Sequence, residues 1–217
     1  MKRTLCIVLA MSITLWGKAL TGQTVGIYGG VNNASIRGTE GGGLIEYGSV
    51  VGMHLSILSE IPLQGRPYVF ETGLRWSVKG FHAQAFGLTI DVWLHYLEVP
   101  ILLKRYWDFS DHVRGYLSVG PYVGMGSKGY FIYSGTFLGL FELGGDGTID
   151  WDDALKRYDV GMSCSAGLQI RRYHFAVSYD LGMINVDKSS DEIYHNVWRF
   201  SLGYALPMEE LIEGRRK

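Results

Sequence analysis

A chain of 217 residues with a formal net charge of −1 is long enough for one barrel- or sandwich-type domain, and its charge balance offers nucleic acid no basic surface. Its 30 glycines and 14 tyrosines, set against 5 prolines, exclude a disordered Pro/Gly-rich chain and suit a sheet protein with many tight bends.

The first residues have the order of a secretory signal: Lys2 and Arg3, an apolar run from Leu5 to Trp16, then small and polar residues to Gln23. The run is shorter than the roughly 18 to 20 residues a membrane helix needs. We therefore expect residues 1–22 to be a signal peptide, 23–206 the folded domain and 207–217 a charged tail. Without Lys2, Arg3 and Lys18 the chain carries 17 basic and 21 acidic residues. Only Cys164 then remains, so no internal disulfide can form. No later segment approaches a membrane helix, so a membrane location requires a closed barrel.

Eight segments alternate with a period of two, at about 24–36, 49–58, 67–79, 93–106, 113–125, 158–170, 174–184 and 196–206. The fourth is the most informative. Leu97, Val99, Ile101 and Leu103 form one face, against Tyr96, Glu98, Pro100, Leu102 and Lys104 on the other. The connectors 60–66, 107–112 and 171–173 are short, whereas 37–48, 80–92, 127–157 and 185–195 are long. Short turns at one end and long loops at the other are expected of an outer-membrane barrel, with the short turns in the periplasm.

Alternation alone does not say which face is outside, since a soluble lipocalin-like ligand binder turns its apolar face inward. The polar face decides. It is built from Gly, Ser, Ala and Tyr with a few charges of both signs, which suits a narrow filled lumen better than a solvated surface. Glu71, Glu98, Asp159 and Asp180 are expected to pair there with Arg75, Arg114, Arg199, Lys79 and Lys104, because an unpaired charge in such a space costs several kcal/mol. Tyr68, Trp76, Trp93, Phe175, Trp198 and Tyr204 on the other face are expected to form interfacial girdles. The expected fold is all-β, a closed eight-stranded antiparallel up-and-down transmembrane barrel. Pro100 lacks a ladder donor, and a local bulge or a water-satisfied carbonyl is expected opposite it.

The run Tyr96-Leu97-Glu98-Val99-Pro100-Ile101-Leu102-Leu103-Lys104 resembles the signature strand of the outer-membrane beta-barrel domain family common in Bacteroidetes, often labelled porin-family proteins. Gly120-Pro121-Tyr122-Val123-Gly124, Asp159-Val160-Gly161, Tyr179-Asp180-Leu181-Gly182-Met183-Ile184-Asn185 and Leu202-Gly203-Tyr204 follow in the family's order. The resemblance implies an eight-stranded barrel similar to OmpX-like and OmpA-like domains, in the outer membrane of a Gram-negative envelope, with no established common activity. One departure is the end of the chain: such barrels usually stop at an aromatic residue, whereas Leu206-Pro207 leads into a charged tail.

Candidate chemistry is sparse. The six histidines show no metal-ligand spacing, and no cofactor is expected. His82, His95 or His195 with Ser127 or Ser134 could form a rim site of a lipid-modifying enzyme, but that needs a base held by a third group. Asp146, Asp150, Asp152 and Asp153 lack the ligand order and central glycine of a calcium loop. Gly41-Gly42-Gly43 has no following Lys-Ser/Thr and reads as a loop tip. Tyr130-Phe131-Ile132-Tyr133 and Phe137-Leu138-Gly139-Leu140-Phe141 are expected to form a hairpin beyond the membrane, or a surface at 127–157 for an extracellular partner. The expected partners are otherwise outer-membrane lipid and the assembly machinery, with the protein a non-enzymatic monomer acting structurally or through its loops, without a bulk pore.

Overall fold

The computed structural model describes residues 23–38, 46–63, 66–85, 87–137, 141–149, 156–185 and 193–208. Ten strands follow one another: β1 (Thr24–Gly38), β2 (Glu46–Gly48), β3 (Val50–Pro62), β4 (Tyr68–Ala85), β5 (Leu88–Ser110), β6 (Val113–Phe137), β7 (Phe141–Thr148), β8 (Tyr158–Ile170), β9 (Tyr173–Gly182) and β10 (Ile193–Pro207). Eight of them close a ring in the order β4-β3-β1-β10-β9-β8-β6-β5, with β5 returning to β4. Every pairing is antiparallel, and β1 meets β10 in one register from Thr24↔Pro207 to Gly38↔Ile193. Closure leaves the ring without the unpaired edge that an open sheet would expose to hydrocarbon. No helix among the described residues is long and apolar enough to cross a membrane. The signal-peptide region, the glycine tip at 41–43 and the tail beyond Met208 lie outside the described residues.

The period-two pattern sorts side chains between hydrocarbon and lumen. Leu97, Ile101 and Leu103 of β5 are exposed on the outer face, while Tyr96, Glu98, Pro100, Leu102 and Lys104 are buried inside. The same division holds in β3, where Met53, Leu55 and Ile57 face out and His54 and Ser56 face in. Tyrosines complete the packing by lying over glycines. A methyl group on Gly203 would sit 2.1 Å from the Tyr28 ring, and one on Gly167 would sit 2.4 Å from Tyr116.

Four features differ from the sequence expectation. The segments at 80–92 and 127–157 are not simply long loops, because β4, β5 and β6 run on past the barrel. β4 and β5 turn at Gly87, whose φ of +81° favours glycine, and the extended strands gain β2 and β7 as flanks. The hairpin expected around 130–141 is part of this raised sheet, with Tyr130↔Thr148 to Phe137↔Phe141 paired. Secondly, there is no bulge at Pro100. The β4–β5 ladder skips the rungs opposite Val99 and Pro100 and resumes in the same register, so Thr72↔Ile101 and Arg75↔Glu98 flank the gap. The Pro100 carbonyl itself accepts a 2.8 Å hydrogen bond from the Thr72 hydroxyl. A missing donor removes a rung without shifting the strand.

Thirdly, the bulge of β6 lies at Ser127, where His95↔Lys128 and Tyr96↔Gly126 leave one residue over. Beyond it the inward positions of β6 change parity to Gly129 and Phe131. Lastly, Trp93 does not join a lipid girdle but packs on the buried cluster of Ala34, Val50 and Val197. Phe175, Trp198 and Tyr204 are exposed on the outer face.

Candidate functional site: ion clusters in the barrel interior

The inward positions bring two groups of charges together. In the larger group, β4 contributes Arg75 and Lys79, β5 Glu98, β8 Asp159, β9 Asp180 and β10 Arg199. Arg75 Nε donates to Glu98 Oε2 at 2.6 Å, and its Nη2 donates to Asp180 Oδ2 at 3.1 Å. Lys79 Nζ lies 2.6 Å from Glu98 Oε1 and 2.6 Å from Asp159 Oδ2. Arg199 pairs with Asp180 and reaches Glu98 Oε2 at 3.3 Å. Ser163 and Ser77 complete the shell, the first donating to Asp180 at 2.6 Å and the second accepting from Arg199 at 3.0 Å. All six ionic side chains are almost wholly withdrawn from solvent. Three cations therefore face three carboxylates, and each charge has at least one opposite partner, as burial requires.

The smaller group lies toward the short-turn end. Lys104 Nζ donates to Glu60 Oε1 at 2.7 Å and also pairs with Glu71. Tyr106 gives its hydroxyl to Glu60, with oxygen distances of 2.8 and 2.9 Å. The ammonium also stands 4.3 Å over the Tyr116 ring, a favourable cation–π position. Arg114 pairs with none of the carboxylates of either group. Strand parity alone grouped it with them, but it sits partly exposed near the turn, donates to Gln169 Oε1 at 2.6 Å and stacks 4.3 Å over Tyr106.

Glu60 was missed because β3 continues four residues past the 49–58 alternation, so a side chain read as part of a turn is still inside the barrel. The signal was its parity with His54, Ser56 and Leu58. His54 and Asn32 were also missed. They bond at 2.8 Å, His54 Nε2 reaches Ser201 Oγ at 2.9 Å, and Asn32 Nδ2 donates to Ser77 Oγ at 3.1 Å.

A cavity of about 40 Å³ separates the two groups, lined in part by Glu71, Arg75, Lys104 and Arg199. Above the larger group, Val92, Leu94 and Tyr96 form an apolar layer with Phe81, Phe131 and Ile149 packed on it. The Tyr96 hydroxyl lies 3.3 Å from His195 Nε2. Among the other rim candidates, no histidine ring bonds a serine hydroxyl within the described residues. His82 pairs with Asp91 at 2.7 Å, His95 faces the Trp76 and Tyr130 rings, and the Ser127 hydroxyl donates to the His95 backbone carbonyl. Of the aspartates weighed for calcium, only Asp146 is among the described residues.

The outer membrane protein beta-barrel domain family matches residues 22–188. This chain belongs to that family. It is an integral outer-membrane barrel that crosses the bilayer with strands. No curated protein matches its sequence. Among solved structures it is similar to Ail of Yersinia pestis, at 13% identity over 85% of this chain and 99% of that one, with a TM-score of 0.41. Neisserial surface protein A gives 13% identity, 86% and 97% coverage and a TM-score of 0.43. OprG of Pseudomonas aeruginosa gives 14% identity, 84% and 95% coverage and a TM-score of 0.44.

Proposed function

We propose that this barrel is a structural and surface-presenting element of the outer membrane, with a lumen closed by its own side chains and no bulk pore. One observation carries the reading: the larger ion group spans the interior between opposite walls, the smaller lies on the adjacent strands β3, β4 and β5, and the cavity between them is only about 40 Å³. That volume accommodates one or very few waters and no sugar or amino acid. The apolar layer beneath the raised sheet supports the same reading from the extracellular side. A small-ligand lipocalin would need an apolar interior cavity, whereas charges fill this interior.

His82 turned to Asp91, His195 close to Tyr96, and Ser127 bonded to the His95 backbone rather than to its imidazole support a non-enzymatic role. Residues 1–22 act in this reading as the export signal, 23–206 as the barrel and 207–217 as a tail on the periplasmic side. The raised sheet of β2, β4, β5, β6 and β7 is the part offered to the exterior, and a partner at 127–157 would meet it there.

Reconstitution in planar bilayers tests the proposal. The purified protein is expected to produce no porin-sized current steps, and long-lived water-filled openings in the wild type would refute the closed lumen.

A further inference from the structure

Arg105 lies on the outer face of β5, opposite Tyr68 of β4, yet most of that face is apolar. Its guanidinium stands 5.7 Å from the Tyr68 ring centre and 5.1 Å from that of Trp107. It has no acidic partner among the described residues. Tyr68 opens β4 directly after a short turn, which puts this guanidinium near the periplasmic interface, where tyrosine and tryptophan settle at headgroup depth.

A groove of about 560 Å³ begins at Arg105 and Tyr68 and runs over Leu117, Cys164 and Ala166 to Trp198. Apart from its mouth it is almost wholly apolar. A cation held between two aromatic rings at the entrance of an apolar trough complements an amphiphile with an anionic head and a hydrocarbon tail. The arginine stem can extend along the wall while its head remains at the interface.

We propose that this groove binds one anionic glycerophospholipid of the periplasmic leaflet. Arg105 holds the headgroup phosphate through its paired N–H donors, and an acyl chain lies over Ala166 and Cys164. The exposed guanidinium selects net negative charge over a zwitterion, and the depth of the site selects the inner leaflet. This inference rests on the membrane orientation of the barrel and is independent of whether the lumen conducts.

Native mass spectrometry of the full protein, exchanged into micelles with equal phosphatidylglycerol and phosphatidylcholine, tests it. The wild type is expected to retain one phosphatidylglycerol in preference to phosphatidylcholine. Arg105→Gln is expected to weaken that retention about fivefold, the effect of one basic side chain near an anionic surface. Ala166→Phe, which fills the trough without touching the charge, is expected to reduce it as well. Arg37→Gln is the control. Arg37 also stacks on a tyrosine, Tyr194, but at the long-loop end. It should leave retention unchanged. A heat-shifted gel band establishes that each variant is folded. Equal retention of both lipids by the wild type, or undiminished retention by Arg105→Gln, would overturn the proposal.

Discussion

Arg199 of β10 reaches Glu98 of β5 at 3.3 Å, although these strands stand four places apart in a ring of eight and form opposite walls. Arg75 of β4 and Asp180 of β9 make a second such crossing at 3.1 Å. Backbone pairing ties each strand only to its neighbours, so these contacts join the walls through the interior. Removing one partner leaves an uncompensated buried charge, which costs about 3–5 kcal/mol. Glu98→Gln and Arg199→Gln should each destabilise the barrel on that scale, read from urea unfolding in lipid vesicles.

The two groups should respond differently from the nearby mouth. Lys104 is the shared cation of Glu60 and Glu71, so Lys104→Met leaves two buried carboxylates without it. A loss of several kcal/mol is expected. Arg114→Gln removes a partly exposed bond to Gln169 and should cost only about 1 kcal/mol. Equal losses in parallel unfolding curves would count against separating Arg114 from the network.

Tyrosine-over-glycine packing gives a steric test. Gly203 lies under the Tyr28 ring, with room for no Cβ, and the ring is itself held edge-on to His174 at 5.4 Å. Gly203→Ala should force the ring aside and lower stability by about 1–3 kcal/mol. In a Tyr28→Ala background the same substitution should cost less, because the clash disappears with the ring.

The outer face has a depth dependence. Ile101 points outward from the middle of the β5 crossing, and Ile101→Arg should cost about 2–4 kcal/mol in vesicles. Ile132 is also exposed, but it lies beyond the Ser127 bulge on the raised sheet. Ile132→Arg should fall within about 1 kcal/mol of wild type. If both substitutions cost the same, the bilayer boundary is misplaced.

The barrel was legible because one strand face must meet hydrocarbon while the other fills a narrow lumen. Leu97, Ile101 and Leu103 against Glu98 and Lys104 carry that division in eight residues. Beyond the bilayer the constraint disappears. β4 to β6 continue there with mixed aromatic, glycine and polar residues, and the same alternation reads as loop. Sequence parity grouped Arg75, Glu98, Asp180 and Arg199 on inward positions, but it carries no information about height along the barrel. That is why Arg114 was grouped with residues it does not touch, and why Glu60, at a strand end, was left out. Pro100 misled for a different reason. The absent donor points to a bulge or a water-satisfied carbonyl opposite it, while the structure absorbs it as a skipped rung in an unshifted register.

A double-mutant cycle on Glu98 and Arg199 tests most directly whether opposite walls are joined through the lumen. Glu98→Gln, Arg199→Gln and the double variant would be unfolded by urea in the same vesicles, with wild type alongside. Direct coupling predicts that the double variant loses less than the sum of the single losses, by about 1 kcal/mol or more. Strict additivity, within about 0.3–0.5 kcal/mol, would mean that the two charges do not act on each other and would contradict the account.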